Sequence, residues 1–339
     1  MNTLYVTTPD AYLSLDGENV IVLREKETLL RVPLHNLEGI VAFGYTGASP
    51  ALMGACADRD VALSFFTMNG RFLADISGIE KGNVVLRRTQ YRVADDISQS
   101  VAIVKNILTA KLYNSRWTLE RAIRDHEMRI DLERVKSAVN YIAGAIEPLR
   151  EADNLESIRG IEGEAATRYF SVFDELILQS KDEFFFKTRT RRPPLDNVNS
   201  LLSFAYTLLA NDVASAVRSV GLDPFVGFLH RDRPGRKSLA LDLMEEFRAV
   251  IADRFVISMI NKREIEPKGF QIKENGAVLI KDDARRSFLN AWQKRKQEVI
   301  IHPFLHEKVE WGLVPYIQAL LLARFLRGDH DEYAPFLWK

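Results

Sequence analysis

The stretch Gly227–Arg248, GFLHRDRPGRKSLALDLMEEFR, organises the reading of this chain. A short apolar run, Phe225 to Leu229, ends on His230, and four cations follow: Arg231, Arg233, Arg236 and Lys237. Pro234-Gly235 acts as a breaker. Ser238 then opens an apolar-periodic run that predicts a helix, continued over Val250 to Ile260. Asp242 and Glu245, three residues apart, share a face of that helix, and Glu246 follows. Leu241, Ala249, Ala252 and Val256 surround Glu245 at helical spacing, so its carboxylate points into an apolar face. Such a group is costly unless something compensates it. A metal ion is one compensation; a buried ion pair with a nearby arginine is the other.

Immediately upstream, Asn197 to Val220 predicts a helix, and Arg191-Arg192-Pro193-Pro194 predicts a loop. Residues 187–237 carry nine Lys/Arg against four Asp/Glu. A local excess of cations can bind nucleic acid even in a neutral chain. Arg189, Arg191 and Arg192 are candidates for phosphate contact, with a solvated loop as the alternative. Further back lies Gly160–Phe170, GIEGEAATRYF, at the head of a helix predicted over Gly163–Gln179. In a helix Glu162 aligns with Ala166, Tyr169, Phe170 and Phe173, an apolar face. Glu164 aligns with Thr167, Arg168, Ser171 and Glu175, a polar one. Glu162 is therefore expected to be buried and Glu164 solvated. The small residues Gly160, Gly163, Ala165 and Ala166 would admit another backbone or a ligand. The alternative is a helix N-terminus whose dipole the acid complements.

The remaining chain divides in two. Leu4–Thr7, Tyr12–Leu15, Val20–Leu23, Leu29–Val32 and Gly39–Phe43 are candidate strands. A short helix, Pro50 to Asp58, precedes the strand Val61–Phe66, and Asn69-Gly70 predicts a hairpin turn into Phe72–Ile76. From Ser98 the period becomes helical, with Val101–Tyr113, Leu119–His126 and Leu132–Leu149 before the stretches above. Phe270–Ile280 reads as a β-hairpin around Asn275-Gly276. Glu310 to Phe325 reads as a helix that Pro315 should interrupt. The fold class is α+β: a β-rich domain over 1–80, a linker over 81–97 and a larger, mostly helical domain over 98–339.

Composition sets few limits. The 339 residues carry 46 basic and 46 acidic side chains, with 47 % hydrophobic content, as in ordinary globular proteins. The single cysteine, Cys56, cannot form an internal disulfide, which suits a reducing cytoplasm. The N-terminus lacks the pattern of a signal peptide. No apolar run reads as a membrane span; Ile317 to Leu326 is the nearest and contains Gln318 and Arg324. His302 and His306 have helical zinc spacing, but Pro303 lies between them and no third ligand is evident.

Together, Glu162, His230, Asp242 and Glu245 supply oxygen donors and one imidazole. That set suits Mg²⁺ or Mn²⁺ better than structural zinc. Beside a basic loop it suggests phosphodiester chemistry, with the arginines holding the backbone.

GIEGEAATRYF, NVNSLLSFAYTLL and GFLHRDRPGRKSLALDLMEEFR, in this order and spacing, resemble the CRISPR-associated adaptation integrase, the larger of the two core spacer-acquisition proteins. The opening NTLYVTTPDAYLSLDGENVIV is similar to the type I-C branch, and the likeness extends over essentially the whole chain. The resemblance implies an N-terminal β domain and a helical catalytic domain. It also implies a homodimer, a small partner (the second core adaptation protein) and insertion of short DNA fragments into a CRISPR array. Glu162, His230 and Glu245 fall on the family's metal ligands, the last often aspartate there, and Asp242 on a second acidic position of the same site. Tyr169 and Asn199 match recurrent motif positions. With Arg189, Arg191, Arg192, Arg231, Arg233, Arg236, Lys237 and Arg248 they form the expected DNA-binding set. The implied reaction is transesterification: a 3′-hydroxyl of the incoming DNA attacks a phosphodiester of the repeat. With water as nucleophile the same site is an endonuclease. Alternatives are a stand-alone metal-dependent nuclease on branched DNA and a non-catalytic DNA-binding scaffold.

Overall fold

The computed structural model describes residues 2–68, 70–76 and 84–339. The chain is α+β and divides into two compact units. The first holds the strands β1 (Thr3–Val6), β2 (Tyr12–Asp16), β3 (Asn19–Arg24), β4 (Glu27–Pro33), β5 (Gly39–Phe43), β6 (Gly47–Ala48), β7 (Ala62–Phe66) and β8 (Phe72–Ile76), with helix α1 (Pro50–Asp58). They form two four-stranded sheets, ordered β1-β5-β7-β8 and β4-β3-β2-β6. In the first, β1, β5 and β7 run parallel and β8 antiparallel; in the second, β2, β3 and β4 form an antiparallel meander. The alternation of Leu13, Val20, Val22, Ile40 and Leu63 places these side chains in one core with Leu52 and Cys56 of α1. Burial pushes the Cys56 thiol up to about 11. Ser49 caps α1 by accepting from the Leu52 N–H at 3.2 Å, and Pro50 stands where no helical N–H is needed. Of the expected Asn69-Gly70 turn, Asn69 lies outside the described residues, and Gly70 has φ +79°.

The second unit is helical: α2 (Val84–Asp95), α3 (Ile97–His126), α4 (Leu132–Gly144), α5 (Ile146–Glu151), α6 (Leu155–Ser171), α7 (Asn197–Ser219), α8 (Ser238–Met244), a π-helical turn Arg248–Asp253, and α9 (Arg254–Asn261). A hairpin, β9 (Phe270–Ile272) with β10 (Val278–Ile280), follows around Gly276 as expected. Then come α10 (Asp282–Lys296) and α11 (Val314–Leu326), the latter with Pro315 in its first turn rather than as an interruption. α10 does not belong to the helical unit. Residues 280–299 and 310–313 join the N-terminal one, where Lys296 Nζ lies 3.3 Å from Thr3 Oγ1. The helical unit is thus not the continuous 98–339 stretch that the pattern suggests.

Other differences have local causes. The two helices expected within 101–126 are one. Asp96 caps it by accepting from the N–H of Ser98 (2.9 Å) and Gln99 (3.2 Å). The polar residues at its middle are no break, because Asn114 turns inward and binds Glu246 O (2.7 Å) and Phe336 O (2.8 Å). The helix expected over 132–149 divides at Ala145, just before Pro148, which has no N–H to continue the ladder. Helix α7 has the length and apolarity of a membrane span, which exceeds the apolar run noted near the C-terminus; most of that span is buried inside the unit.

Residues 84–95, expected as part of a linker, form α2, and α2 grips the segment that leads to His230. Gln90 is fully buried; its Nε2 donates to Asp223 O and Val226 O at 2.8 Å each, and its Oε1 accepts from Asp223 N at 2.9 Å. Gln90→Ala leaves these backbone groups without partners, at a cost of about 1–3 kcal/mol for each that stays dry. The expected outcome is a lower urea midpoint for the variant; an unchanged midpoint would show that the segment is not held through this residue.

Candidate active site

A cavity of about 510 Å³ lies in the helical unit, and three of the segments around it bring its glutamates and histidine. The first is α6. Asn154 caps it, accepting from Glu156 N (3.1 Å) and Ser157 N (2.8 Å), so the helix starts at Leu155. Glu162 is therefore in mid-helix, which removes the dipole explanation for it. It faces the cavity on the side of Ala165, Ala166, Tyr169 and Phe170, and 26 % of its side chain is exposed. Glu164 is turned away by roughly 200°, as 3.6 residues per turn requires. Its side chain is 56 % exposed and pairs with Arg168 at 3.7 Å. Gly160 and Gly163 face open space.

The second segment is the apolar run before His230, folded onto the start of α8. Leu239 N donates to Pro224 O at 3.0 Å, which satisfies one free N–H of the helix start. Asp242 is fully buried and collects the N–H groups of Phe228 (2.6 Å), Leu229 (2.9 Å) and His230 (3.0 Å). Its Oδ1 lies 2.6 Å from His230 Nδ1. His230 lines the cavity, and its engagement through Nδ1 leaves Nε2 as the nitrogen available there. Asp242, expected as a catalytic acid beside Glu245, instead lies beneath the wall and positions the histidine. Three residues along a helix differ by about 60°, enough to send one carboxylate to the loop and the other to the cavity. Gly227 allows this approach: a Cβ there would stand 2.6 Å from Asp242 Oδ2 and 2.8 Å from Ser238 C.

The third segment runs from Glu245 through the π-helical turn. Glu245, Arg248, Ala249 and Asp253 all line the cavity. An unbroken α-helix would place Asp253 about 140° from Arg248. The π-helical i→i+5 bonding stacks the two on one side. This turn replaces the continuous helix expected through Val250.

Within this cation-rich cavity the two glutamates are matched by two neighbouring cations. Lys111 of α3 pairs with Glu162 and with Glu245 Oε2, the latter at 2.7 Å. Arg248 holds Glu245 Oε1 at 3.0 Å. Burial works against the charge on Glu245, but Arg248 and Lys111 outweigh it and bring its carboxyl down to about 2. Burial likewise opposes the charge of Lys111, and Glu245 and Glu162 outweigh it, leaving its pKa raised. Glu246 points to the opposite side, where it accepts from Tyr333 Oη (2.5 Å), Phe336 N (2.7 Å) and Gln318 Nε2 (3.2 Å). Burial prevails over those bonds and pushes it up to about 8.

The expected DNA-binding set separates. Arg191, Arg231, Arg233, Arg236 and Arg248 line the cavity, joined by Arg159, whose Nη2 donates to Leu229 O at 2.6 Å. Arg192 and Lys237 do not line it. Asn199 is fully buried: it accepts from Arg189 Nη1 (2.7 Å) and Thr190 N (3.0 Å) and donates to Thr188 O (2.8 Å) and Asp196 Oδ2 (2.6 Å). Asn199 and Arg189 therefore knit the loop before α7. Tyr169 donates its hydroxyl to Asp253 Oδ2 at 3.0 Å. His302 and His306 are not on a helix; buried His302 accepts at Nδ1 from Phe304 N and Leu305 N, each at 3.3 Å, within a turn.

Lys111, Arg159, Tyr206 and Asp253 are cavity residues that the sequence reading passes over. Lys111 carried a usable signal: it continues the stripe Val104, Ile107, Leu108, Ser115 and Thr118 of α3, all buried. A lone cation on such a face asks for a partner as Glu245 does.

Among the described residues no three of His, Cys, Asp and Glu stand in ready metal-binding geometry. The donor types nevertheless fit a hard divalent cation. Glu162 and Glu245 already share one cationic group, and Glu245 Oε2 is buried without a bond of hydrogen-bond geometry. Two carboxylates and an imidazole in a cavity ringed by arginines have the make-up of a phosphodiester-processing site. Residues 4–294 match the family described as CRISPR associated protein Cas1, and the chain belongs to that family of CRISPR-associated endonucleases. It is 53 % identical over 339 residues to CRISPR-associated endonuclease Cas1 1 of Chlorobaculum tepidum, covering 100 % of this chain and 99 % of the relative. It is 48 % identical to CRISPR-associated endonuclease Cas1 2 of Rhodospirillum rubrum over 343 residues, again covering 100 % and 99 %. In structure it is similar to a casposase bound to integration product, with a TM-score of 0.85 and 25 % identity, over 100 % of this chain and 95 % of the other.

Asp253 offers a test of the wall. Burial pushes its carboxyl from 3.8 up to about 6, although Tyr206 (2.6 Å) and Tyr169 donate to it. The folded state then holds a proton that the unfolded chain has lost, so stability falls as pH rises from about 4 to about 6 and the penalty is complete above that window. Asp253→Asn should remove this slope. Denaturant melts of both proteins across the window should show the wild type losing ground to the variant; a constant difference counts against a dry Asp253.

Proposed function

We propose that this chain is a divalent-metal-dependent DNA endonuclease and integrase that inserts short DNA fragments into a CRISPR array. The observation that carries the reading is the convergence of Glu162, His230 and Glu245, from three separate segments, on one arginine-lined cavity. Glu162, Glu245 and His230 would hold Mg²⁺ or Mn²⁺, which when bound polarises a phosphodiester and lowers the pKa of an attacking hydroxyl. Asp242 keeps the imidazole aimed at the cavity through Nδ1. Arg159, Arg191, Arg231, Arg233 and Arg236 hold the DNA backbone and counter the charge that develops on the phosphate. A 3′-hydroxyl as nucleophile exchanges one phosphodiester for another, so no high-energy cofactor is required; water as nucleophile gives cleavage. The casposase neighbour, itself bound to an integration product, supports the transesterification. A type I-C origin, a homodimer built through the N-terminal unit, the small second core adaptation protein as partner and a cytoplasmic setting complete the proposal.

Two isosteric substitutions test it. Glu162→Gln should abolish Mn²⁺-dependent cleavage and integration into supercoiled plasmid while leaving DNA binding intact. Glu164→Gln, on the solvated face, should be near wild type in each assay. The reverse pattern would remove Glu162 from the ligand set.

The cations are tested by salt. For duplex DNA the log–log slope of affinity against salt drops by about 0.9 for each phosphate that the protein ceases to neutralise. Arg231→Ala, Arg233→Ala and Arg236→Ala combined should flatten it by up to about 2.7 if each meets a phosphate. An unchanged slope in a folded variant assigns these arginines another role.

A further inference from the structure

Lys111 stands where a metal ion is needed. It projects from the buried stripe of α3, and its ammonium is the one cation paired with both Glu162 and Glu245 among the described ion pairs. Only 16 % of the side chain is exposed. The carboxylates come from different elements, α6 and the turn after α8, so their closeness is not imposed by local sequence. Without a cation between them they would repel, and Arg248 engages only Glu245 Oε1 at 3.0 Å. With Lys111 and Arg248 in place the two negative charges are matched by two positive ones. A divalent cation at the same oxygens would be surplus charge unless the ammonium withdraws or a phosphate enters.

Resting on the metal reading above, we infer that Lys111 is a resident counter-cation that competes with the divalent metal for Glu162 and Glu245. It keeps the two carboxylates together while the metal is absent and weakens metal binding in the absence of DNA. A DNA phosphate in the cavity is the alternative partner for the displaced ammonium. Metal and DNA therefore bind with positive coupling, which must be equal in both directions.

The test uses the full chain, stripped of metal, with Mn²⁺ as the probe in calorimetric titration and with melting temperature as a second readout. Lys111→Met keeps the apolar stem and removes the charge; Lys111→Gln is the second variant if the first does not fold. Either should bind Mn²⁺ at least tenfold more tightly than wild type, melt lower without metal and gain more on Mn²⁺ addition. Lys111→Arg, which restores a cation, should return toward wild type in both readouts. Glu162→Gln and Glu245→Gln separate the two ideas. If they lose Mn²⁺ binding while Lys111→Met binds no tighter than wild type, the competition is overturned and the metal reading stands. If Mn²⁺ binding survives both glutamate substitutions, the metal reading itself fails and the competition fails with it.

Discussion

The buried carboxylate of Asp242 is the interaction on which the site depends. A carboxyl group at that depth is tolerated because it collects three backbone N–H groups and the His230 ring. Those same bonds bend the chain at residues 228–230 around one point and set the imidazole's orientation. Apolar side chains alone would leave such an irregular stretch with unpaired backbone groups and several alternative packings. Gly227 provides the room and Gln90 of α2 holds the approach, so a segment without regular structure is fixed by specific bonds.

The opposite wall solves a different electrostatic problem. Glu245 and Glu246 are neighbours in sequence, yet one is held far down and the other pushed far up, because their partners differ in charge. Glu245 meets Arg248 and Lys111. Glu246 meets a phenol, an amide side chain and a backbone N–H, which share hydrogen bonds without supplying a counter-charge. The first remains a carboxylate available to a cation. The second links the turn to the C-terminal segment near Tyr333 and Phe336. The π-helical turn continues this division, setting Arg248 and Asp253 on the cavity side, where the Arg248 guanidinium lies 4.8 Å from the ring of Tyr206, whose hydroxyl donates to Asp253.

Much of this was legible in the linear chain. The period-2 runs over the first 76 residues became strands, and most period-3.6 runs after residue 97 became helices, since each pattern buries one face in only one geometry; the helix expected over Gly163–Gln179 instead starts at Leu155 and ends at Ser171. The difference between Glu162 and Glu164 could be read for the same reason: two residues of helix reverse the facing direction whatever surrounds it. Linear patterns were blind where burial depended on distant partners. Lys111 and Glu245 lie more than a hundred residues apart, and nothing near either specifies the other. Asn199 is such a case: in sequence a polar motif residue looks the same whether it meets a phosphate or, as here, completes a loop.

The sequence by itself determined the α+β class, the family, and the residue types that the site would contain, because hydrophobic period and motif spacing are local properties of the chain. Tertiary structure decided what each did: that α10 belongs with the strands, that Asp242 supports His230 rather than joining Glu245, and that Glu162 and Glu245 close on Lys111. Each of these is a choice of charge or apolar partner that the local sequence does not specify. The energy of such a choice lies in desolvation and pairing at short range, which exists only once the chain has folded.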